Sequence, residues 1–323
     1  MTDKVHIFYH KRDLDGQCSG AIARYGFLLD DIKPEEIEMW PYDYGEPFPF
    51  NQVPDGDAVW MVDVTTNPYE TMLRINEKYH LFVLDHHKSF IESDVAKQLR
   101  ETILEIGTAA CELSWKEFIP GEDMPDLVRL LGRYDIWDNA DKNLWENKIM
   151  PTQMGMRMRM TDPGTEEGFS FWKKYFDDFL DKTERMFPKI DRHYLNVEDE
   201  VQKSGKTIIQ YQETEDAKAI NFYSFEAKFE GLNAICLNST RFNSQVYKTV
   251  WDPDKYDLML AWVSVKGETC TVSLYTTKDD LDVSEIAKSF GGGGHKQAAG
   301  FQCEEVKVIT NMNHEKAVVI HRL

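Results

Sequence analysis

Along the first third of the chain, short runs of largely apolar residues alternate with stretches of helical spacing. Each run empties into polar residues. Val5-His6-Ile7-Phe8-Tyr9, Val59-Trp60-Met61-Val62 and Leu81-Phe82-Val83-Leu84 have the length and make-up of strands buried on both faces. Between and after them, Ala21 to Leu28, Tyr69 to Tyr79, Thr108 to Phe118 and Leu127 to Tyr134 read as helices, with Pro68 suited to a helix start. That alternation predicts an α/β domain built on a parallel sheet. From Thr165 to about Val201 a helical pattern carries Phe169, Phe171, Trp172, Tyr175, Phe176, Phe179, Leu180 and Met186, aromatic positions expected in a core. Leu232 to Leu237, Leu258 to Val265 and Thr269 to Leu274 then read as strands of a smaller α/β domain. The expected boundaries are 1–188 for the first domain, 189–212 for a helical connector and 213–323 for the second. The active site is expected in a cleft between them, where small ligands usually bind.

The ends of the three runs carry the chemistry. The first leads into His10-Lys11-Arg12-Asp13-Leu14-Asp15-Gly16, the second into Asp63 and the third into Asp85-His86-His87, while the helix-like stretch from Leu127 delivers Asp135. Open α/β sheets bind ligands beyond the carboxyl ends of their strands, so these residues read as a metal or phosphate site. A calcium loop is excluded by register: with Gly16 at the sixth position, the twelfth, which should be a glutamate, is Ile22. Structural zinc sites lean on paired cysteines, and that spacing is absent. Several carboxylates with one or two imidazoles suit six-coordinate Mn²⁺ or Mg²⁺, with Mn²⁺ the better match and Co²⁺ an alternative.

These motifs resemble those of the DHH-family phosphoesterases, the superfamily that includes RecJ-type nucleases, manganese pyrophosphatases and nanoRNases. Four match in order: His10 to Gly16, Asp63, Asp85-His86-His87 and Asp135. A fifth, Phe290-Gly291-Gly292-Gly293-Gly294-His295-Lys296-Gln297-Ala298-Ala299-Gly300-Phe301, resembles the glycine-rich signature of the DHH-associated C-terminal domain. Together they span nearly the whole chain. The resemblance implies two metal ions sharing Asp63, with Asp13 and His10 on one and Asp15, His86 and Asp135 on the other. It implies in-line attack on phosphorus by a bridging hydroxide, the ions lying about 3.5 to 4 Å apart. Asp85 is then expected to fix the imidazole of His86 or the loop itself. His87 is expected to contact the scissile phosphate and help protonate the leaving oxygen.

The first motif departs from many relatives, because His10 stands three residues ahead of Asp13 rather than four. That spacing is nearer to the nanoRNase B-like subgroup, and it leaves His10 either a metal ligand or a substrate contact. In the glycine-rich element, successive N–H groups of Gly292, Gly293 and Gly294 are expected to converge on an anion, with His295 as an added donor. A second departure is Val272-Ser273-Leu274-Tyr275-Thr276-Thr277, where many nucleotide-handling relatives have an arginine. Tyr275 either stacks on a base or is an ordinary sheet residue. Arg241 either supplies the missing cation or is a solvated loop residue.

Composition narrows the partners. The 323 residues suit about two domains, and 42% hydrophobic with 12% aromatic residues suffices for buried cores. A net charge of −19 argues against a non-specific grip on long duplex nucleic acid, which needs a basic track. Bound metals reverse that field locally, so a substrate a few nucleotides long remains compatible. The five cysteines, Cys18, Cys111, Cys236, Cys270 and Cys303, are scattered and odd in number, pointing to packed thiols in a reducing compartment. No leader or bilayer-length apolar run is evident, so a cytoplasmic location without membrane contact is expected, and a homodimer is compatible.

The reading that follows is a metal-dependent phosphodiesterase hydrolysing very short RNA or linear dinucleotides to mononucleotides. Rivals are a 3′-phosphoadenosine 5′-phosphate phosphatase, a cyclic-dinucleotide phosphodiesterase and, in another class, a non-catalytic nucleotide- or RNA-binding module. A lapsed enzyme should have lost ligands, whereas the full acidic and histidine set is present. Pyrophosphate is disfavoured because the C-terminal motif offers chiefly glycine N–H groups, His295 and Lys296, and polyphosphate because the surface is acidic.

Overall fold

A computed structural model describes residues 4–181, 193–240 and 244–322, with side chains from residue 197 onward in the second of these segments. Contacts divide the chain into two compact units, residues 1–209 and 210–323.

The first unit is organised by five strands: β1 (Val5–His10), β2 (Ile37–Tyr42), β3 (Ala58–Val62), β4 (His80–Asp85) and β5 (Glu101–Leu104). They form one sheet in the order β2-β1-β3-β4-β5, and every neighbouring pair is parallel. The helices are α1 (Leu14–Leu29), α2 (Glu70–Lys78), the single turn α3 (Lys88–Ile91), α4 (Ala110–Phe118), α5 (Asp126–Asp135), α6 (Lys142–Leu144), α7 (Met150–Met156), α8 (Glu166–Leu180) and α9 (His193–Tyr223), which runs on into the second unit. Strand alternation explains the two cores: Ile7 and Tyr9 face a cluster with Ala23, Ala110 and Leu113, while Phe8 faces Met61, Val83, Met72 and Ile75. Both faces are therefore covered, as a parallel sheet requires.

The strand order reverses between β1 and β3, because the chain leaves β1 for β2 on one side and returns through β3 on the other. That reversal opens a crevice at the carboxyl ends of the two strands. The sequence reading missed β2, since Pro41 argues against a strand; Pro41 is tolerated because β2 is an edge. The short β5 was also missed. The helical stretch expected from Thr165 ends at Leu180 in α8, and Met186 lies outside the described residues.

The second unit has eight strands: β6 (Phe225–Phe229), β7 (Leu232–Asn238), β8 (Leu258–Val265), β9 (Thr269–Tyr275), β10 (Gly293–His295), β11 (Ala298–Cys303), β12 (Glu305–Thr310) and β13 (Lys316–His321). Their order is β10-β11-β9-β8-β7-β6-β13-β12. One helix of this unit, α10 (Val283–Ser289), is capped by Asp282, whose side chain accepts from the Ser284 N–H, and it packs Val283 and Ala287 onto the sheet core. No helix among the described residues is long and apolar enough to cross a membrane. All five cysteines are buried and unpaired.

Candidate metal centre

The crevice beyond β1, β3 and β4 gathers the acidic and histidine residues. His10 is the last residue of β1, and Asp13 caps α1 by accepting a hydrogen bond from the Gly16 N–H at 2.9 Å. Gly16 must be glycine there: a Cβ would stand 2.3 Å from the carbonyl oxygen of His10. This close approach of helix to strand brings Asp13 back over His10, with His10 Nδ1 2.6 Å from Asp13 Oδ2. Asp15, in the first turn of α1, is buried and accepts the free N–H groups of Ala110 (3.0 Å) and Cys111 (2.8 Å) at the start of α4. Two elements thus fix its carboxylate.

Asp63 follows β3 in the left-handed region, at φ 58°, a costly conformation for a non-glycine residue. It is buried between the two halves of the cluster. Its Oδ2 lies 3.7 Å from His10 Nδ1 and its Oδ1 lies 3.3 Å from His86 Nε2. His86 Nε2 is also 3.2 Å from Asp135 Oδ2 and 3.6 Å from Asp15 Oδ2. Three groups result, His10-Asp13-Asp63, Asp15-His86-Asp135 and Asp63-His86-His87, in each of which one ligand atom per residue lies within 4.8 Å of the others. Asp63 belongs to two of them, and the first two groups pair the residues as the family resemblance pairs them.

The electrostatics ask for a cation. His10 Nδ1, Asp63 Oδ1 and His86 Nε2 are buried and make no hydrogen bond among the described residues, despite their close approaches. Burial opposes charge on His10, yet the carboxylates of Asp13 and Asp63 outweigh it and push the imidazole up to about 10. Burial likewise opposes charge on His86, and Asp135 with Asp63 pushes it up to about 11. Burial lifts the Asp15 carboxyl well above its ordinary range, and the charges of Asp63 and Asp135 add to that. Asp63 is raised for the same first reason, although His10 and His86 pull it back. Asp13 is partly buried, but His10 and the Gly16 N–H hold it below the usual carboxylate range. Divalent ions among these oxygen and nitrogen atoms would relieve the repulsion and occupy the unbonded lone pairs, so the residues present fit the metals their type suggests.

Among the described residues the ring of His86 pairs with Asp15, Asp63 and Asp135 and not with Asp85. Asp85 Oδ1 accepts from the N–H groups of His86 (2.6 Å) and His87 (2.9 Å) and lies 2.7 Å from His87 Nδ1. Of the two expected roles, fixing the imidazole of His86 or the loop itself, these hydrogen bonds are those of the second, and they add a contact with the ring of His87. His87 is half-exposed; burial opposes its charge, but Asp85 raises it above its ordinary value.

Two neighbours escaped the sequence reading. Asp43 Oδ1 lies 3.5 Å from His10 Nε2 and its other oxygen takes the Arg12 guanidinium at 2.5 Å, so it orients His10 from behind. Tyr44 sets its ring edge-on to His10 and His87 at 5.1 and 5.8 Å, with its hydroxyl 3.3 Å from His87 Nδ1 and from the Asp63 carbonyl oxygen. The signal was the apolar-rich Ile37 to Tyr42 ending at Asp43-Tyr44-Gly45, masked by Pro41.

In the second unit the glycine-rich element is divided in its use. Gly292 N–H donates to the Ala287 carbonyl (2.9 Å) and Gly291 N–H to that of Lys288 (3.0 Å), with Gly291 at φ 82°, which closes α10 in a Schellman motif. Gly292 is therefore not a free donor, which corrects the picture of successive N–H groups meeting one anion. A Cβ on Gly292 would strike the Gly300 carbonyl oxygen at 2.1 Å, and one on Gly294 the Ala298 oxygen at 2.6 Å. Gly293 has open space on that side, and His295 is exposed. Tyr275 is half-buried against the cluster of Leu237, Tyr247 and Ala261. Arg241 lies outside the described residues.

Residues 250–318 match the DHHA1 domain family. The chain is 25% identical over 252 residues to the mimivirus protein R106 of Acanthamoeba polyphaga mimivirus, covering 77% of this chain and 54% of that one, so it spans about half of that relative. It is 23% identical over 316 residues to oligoribonuclease NrnB of Bacillus subtilis, covering 91% of this chain and 72% of NrnB. Among solved structures it is similar to PggH, a pGpG-specific phosphodiesterase from Vibrio cholerae, at a TM-score of 0.51 and 12% identity, over 93% of this chain and 92% of that one. That last likeness is one of fold.

Proposed function

We propose that this chain, a DHH-family phosphoesterase, hydrolyses the phosphodiester bonds of very short RNA or linear dinucleotides to mononucleotides. The observation that carries the reading is the placement of Asp63 between the His10-Asp13 pair and the Asp15-His86-Asp135 group, at the switch point of the sheet. His10, Asp13 and Asp63 would hold one divalent ion, Mn²⁺ for preference, and Asp63, Asp15, His86 and Asp135 the other. Such ions, when bound, acidify water and neutralise charge on phosphoryl oxygens.

The chain's own groups supply the remainder. Asp85 locks the loop and aims His87, and the same carboxylate favours the protonated imidazole, the form that donates to a leaving oxygen. The Tyr44 hydroxyl stands beside His87, placed to hydrogen-bond a phosphoryl oxygen. Gly293 and His295, in the region that matches the DHHA1 domain, are assigned to substrate binding. NrnB, an oligoribonuclease, supports the choice of short RNA, and a net charge of −19 fits a substrate gripped locally rather than along a track. Five unpaired cysteines suit a reducing, cytoplasmic setting.

The test is Mn²⁺-dependent hydrolysis of a panel: a linear RNA dinucleotide, a longer RNA, a cyclic dinucleotide and 3′-phosphoadenosine 5′-phosphate, with Asp63→Ala as control. Preferential loss of the linear dinucleotide, absent in the control, is expected. Cleavage of another member alone reassigns the substrate, and cleavage of none rejects the reading.

A further inference from the structure

Of the chain's eight tryptophans, all within the described residues, only Trp137 is exposed, with 59% of its surface in solvent. Tryptophan is highly buried on average, so an indole in water asks for a reason. Trp137 stands two residues beyond Asp135, the last residue of α5. Its backbone place is costly as well. The Trp137 N–H donates to the Tyr134 carbonyl at 3.1 Å and the Asp138 N–H to that of Arg133 at 2.9 Å, the two bonds of a Schellman cap. Trp137 is the left-handed residue of that cap, at φ 57°, where glycine ordinarily stands. The Arg133 guanidinium donates to Asp138 Oδ2 at 2.6 Å, which ties the cap shut around the strain.

A second irregularity brings partners to the indole. After α6 the chain widens at Trp145–Ile149 into a π-helical turn, in which the Met150 N–H donates to the Trp145 carbonyl five residues back. Such turns inside helices recur at functional sites. Here the turn sets Trp145 on Tyr134, with the rings parallel to within 6° and their centres 5.6 Å apart. Trp137 stands across both, at 64° to Trp145 and 65° to Tyr134, with centres 4.9 and 6.0 Å away. Two aromatic walls thus meet in a corner at the end of α5. The Tyr134 wall already has the Arg157 guanidinium over it, 5.8 Å from the ring centre, so the free wall is the indole of Trp137. Packing alone does not call for this arrangement: glycine would close α5 at lower cost, and the indole buries less than half of its surface in return.

We propose that Trp137 is a stacking platform for one nucleobase of the substrate, the base adjoining the phosphodiester at the metal centre. The inference rests on the phosphodiesterase reading and adds the residue that tells a nucleotide from a simple phosphodiester. Every base has a π-face, so the platform gives affinity for nucleotides without choosing a sequence. Stacking also needs no cation, which suits a chain of net charge −19. Asp135 Oδ2 lies 3.2 Å from His86 Nε2, so the helix that supplies a carboxylate to the centre also presents the indole beside it.

The test uses three forms of one RNA dinucleotide, intact, abasic at the 5′ residue and abasic at the 3′ residue, with the full chain. In the wild type, one abasic form is expected to show a KM about tenfold to a hundredfold above that of the intact dinucleotide, the worth of one base stacked on an aromatic ring. Which form suffers tells which base lies on the indole. Trp137→Gly puts in the residue the cap ordinarily takes, so melting curves should show it folded, and it should bring the ratio close to one; Trp137→Phe should restore part of it. Stacking quenches indole emission, so a dinucleotide with a non-hydrolysable phosphonate linkage should dim the fluorescence of the wild type, and Trp137→Gly should lose that change. Equal KM for all three forms in the wild type, or a ratio untouched in Trp137→Gly, overturns the platform and leaves the phosphodiesterase standing. A mass that doubles with concentration and reverts in Trp137→Gly, beside an untouched ratio, gives the indole to a second copy of the chain instead. Quenching that Trp137→Gly abolishes, in a protein that cleaves none of the three, keeps the platform and sinks the proposed reaction.

Discussion

Strand β1 carries a buried histidine near each end, and the two are solved differently. His6 has both ring nitrogens engaged: Nδ1 accepts from the Trp40 indole N–H at 3.1 Å, and Nε2 meets Asp57 at 2.9 Å. Because the indole is donor only, His6 is held with its proton on Nε2. His10, four residues on, is equally surrounded by acids but leaves Nδ1 without a hydrogen bond, as His86 leaves Nε2. The same side chain on the same strand is a structural tie at the amino end and keeps an unbonded nitrogen in a group able to hold a metal ion at the carboxyl end. The difference lies in the backbone: at the amino end partners arrive from neighbouring strands and one loop, whereas at the carboxyl end the reversal of strand order holds the sheet open.

The strongest way to break this comparison is to exchange the consequences. Asp63→Asn keeps a residue that tolerates φ 58° while removing the buried charge, so turnover should fall on the order of 10³-fold without loss of metal-free thermal stability. In the wild type, Mn²⁺ at a hundredfold excess over Kd should add about 2.7 kcal/mol per ion, and the variant should lose most of that shift. His6→Ala should do the opposite. It strands the Trp40 N–H and Asp57 in the core, costing on the order of 3 kcal/mol, or roughly 6 to 12 °C in Tm, with kcat retained. Melting curves with and without Mn²⁺, read beside kinetics, decide both. A stable His6→Ala with impaired kcat would mean that the two ends are not separate in role.

A finer cut concerns what orients His10. Asp43→Asn leaves the ligand in place and weakens the carboxylate behind Nε2, so Mn²⁺ affinity should drop by about 10 to 100-fold. Direct titration of Mn²⁺ by calorimetry would read it. An unchanged affinity would return His10 to the role of substrate contact.

Much of this was legible because parallel strands buried on both faces are continuous apolar runs, and such runs ending in Asp or His mark the ligand side of the sheet. Asp63 and the Asp13–Asp15 pair could be placed by that rule together with the family resemblance. What escaped was whatever depends on neighbours distant in sequence. Pro41 hid the edge strand that delivers Asp43 and Tyr44. The capping of α4 by Asp15 joins residues 95 and 96 apart in sequence. The glycines of the C-terminal motif looked alike in sequence, yet Gly291 is needed for a left-handed cap, Gly292 and Gly294 for close packing, and Gly293 for neither. Alternation and composition cannot separate those reasons.

The smallest effect should appear in the pH dependence of metal uptake. In metal-free protein His10 and His86 are pushed up to about 10 and about 11, and Asp15 and Asp63 stand above their ordinary ranges. A group whose folded-state pKa exceeds its unfolded value contributes stability that is complete below the unfolded pKa and is lost as pH rises through the folded one. For the two histidines that window runs from about 6.5 upward to about 10 or 11. For the two carboxyls it begins near 4, while Asp13 and Asp43 are held low and run the other way. Metal-free stability should therefore decline with rising pH. Ligation needs these groups deprotonated, so Mn²⁺ binding must expel protons and tighten by up to about tenfold per pH unit for each proton displaced. Between pH 6 and 8.5 the Mn²⁺-induced rise in Tm should grow, while the uptake heat should differ between buffers of different ionisation enthalpy. At the His6 end every nitrogen is already engaged, so His6→Ala should leave the proton count unchanged. A Tm rise that is flat across this range, with buffer-independent heat, would mean that protons are not what the metals replace.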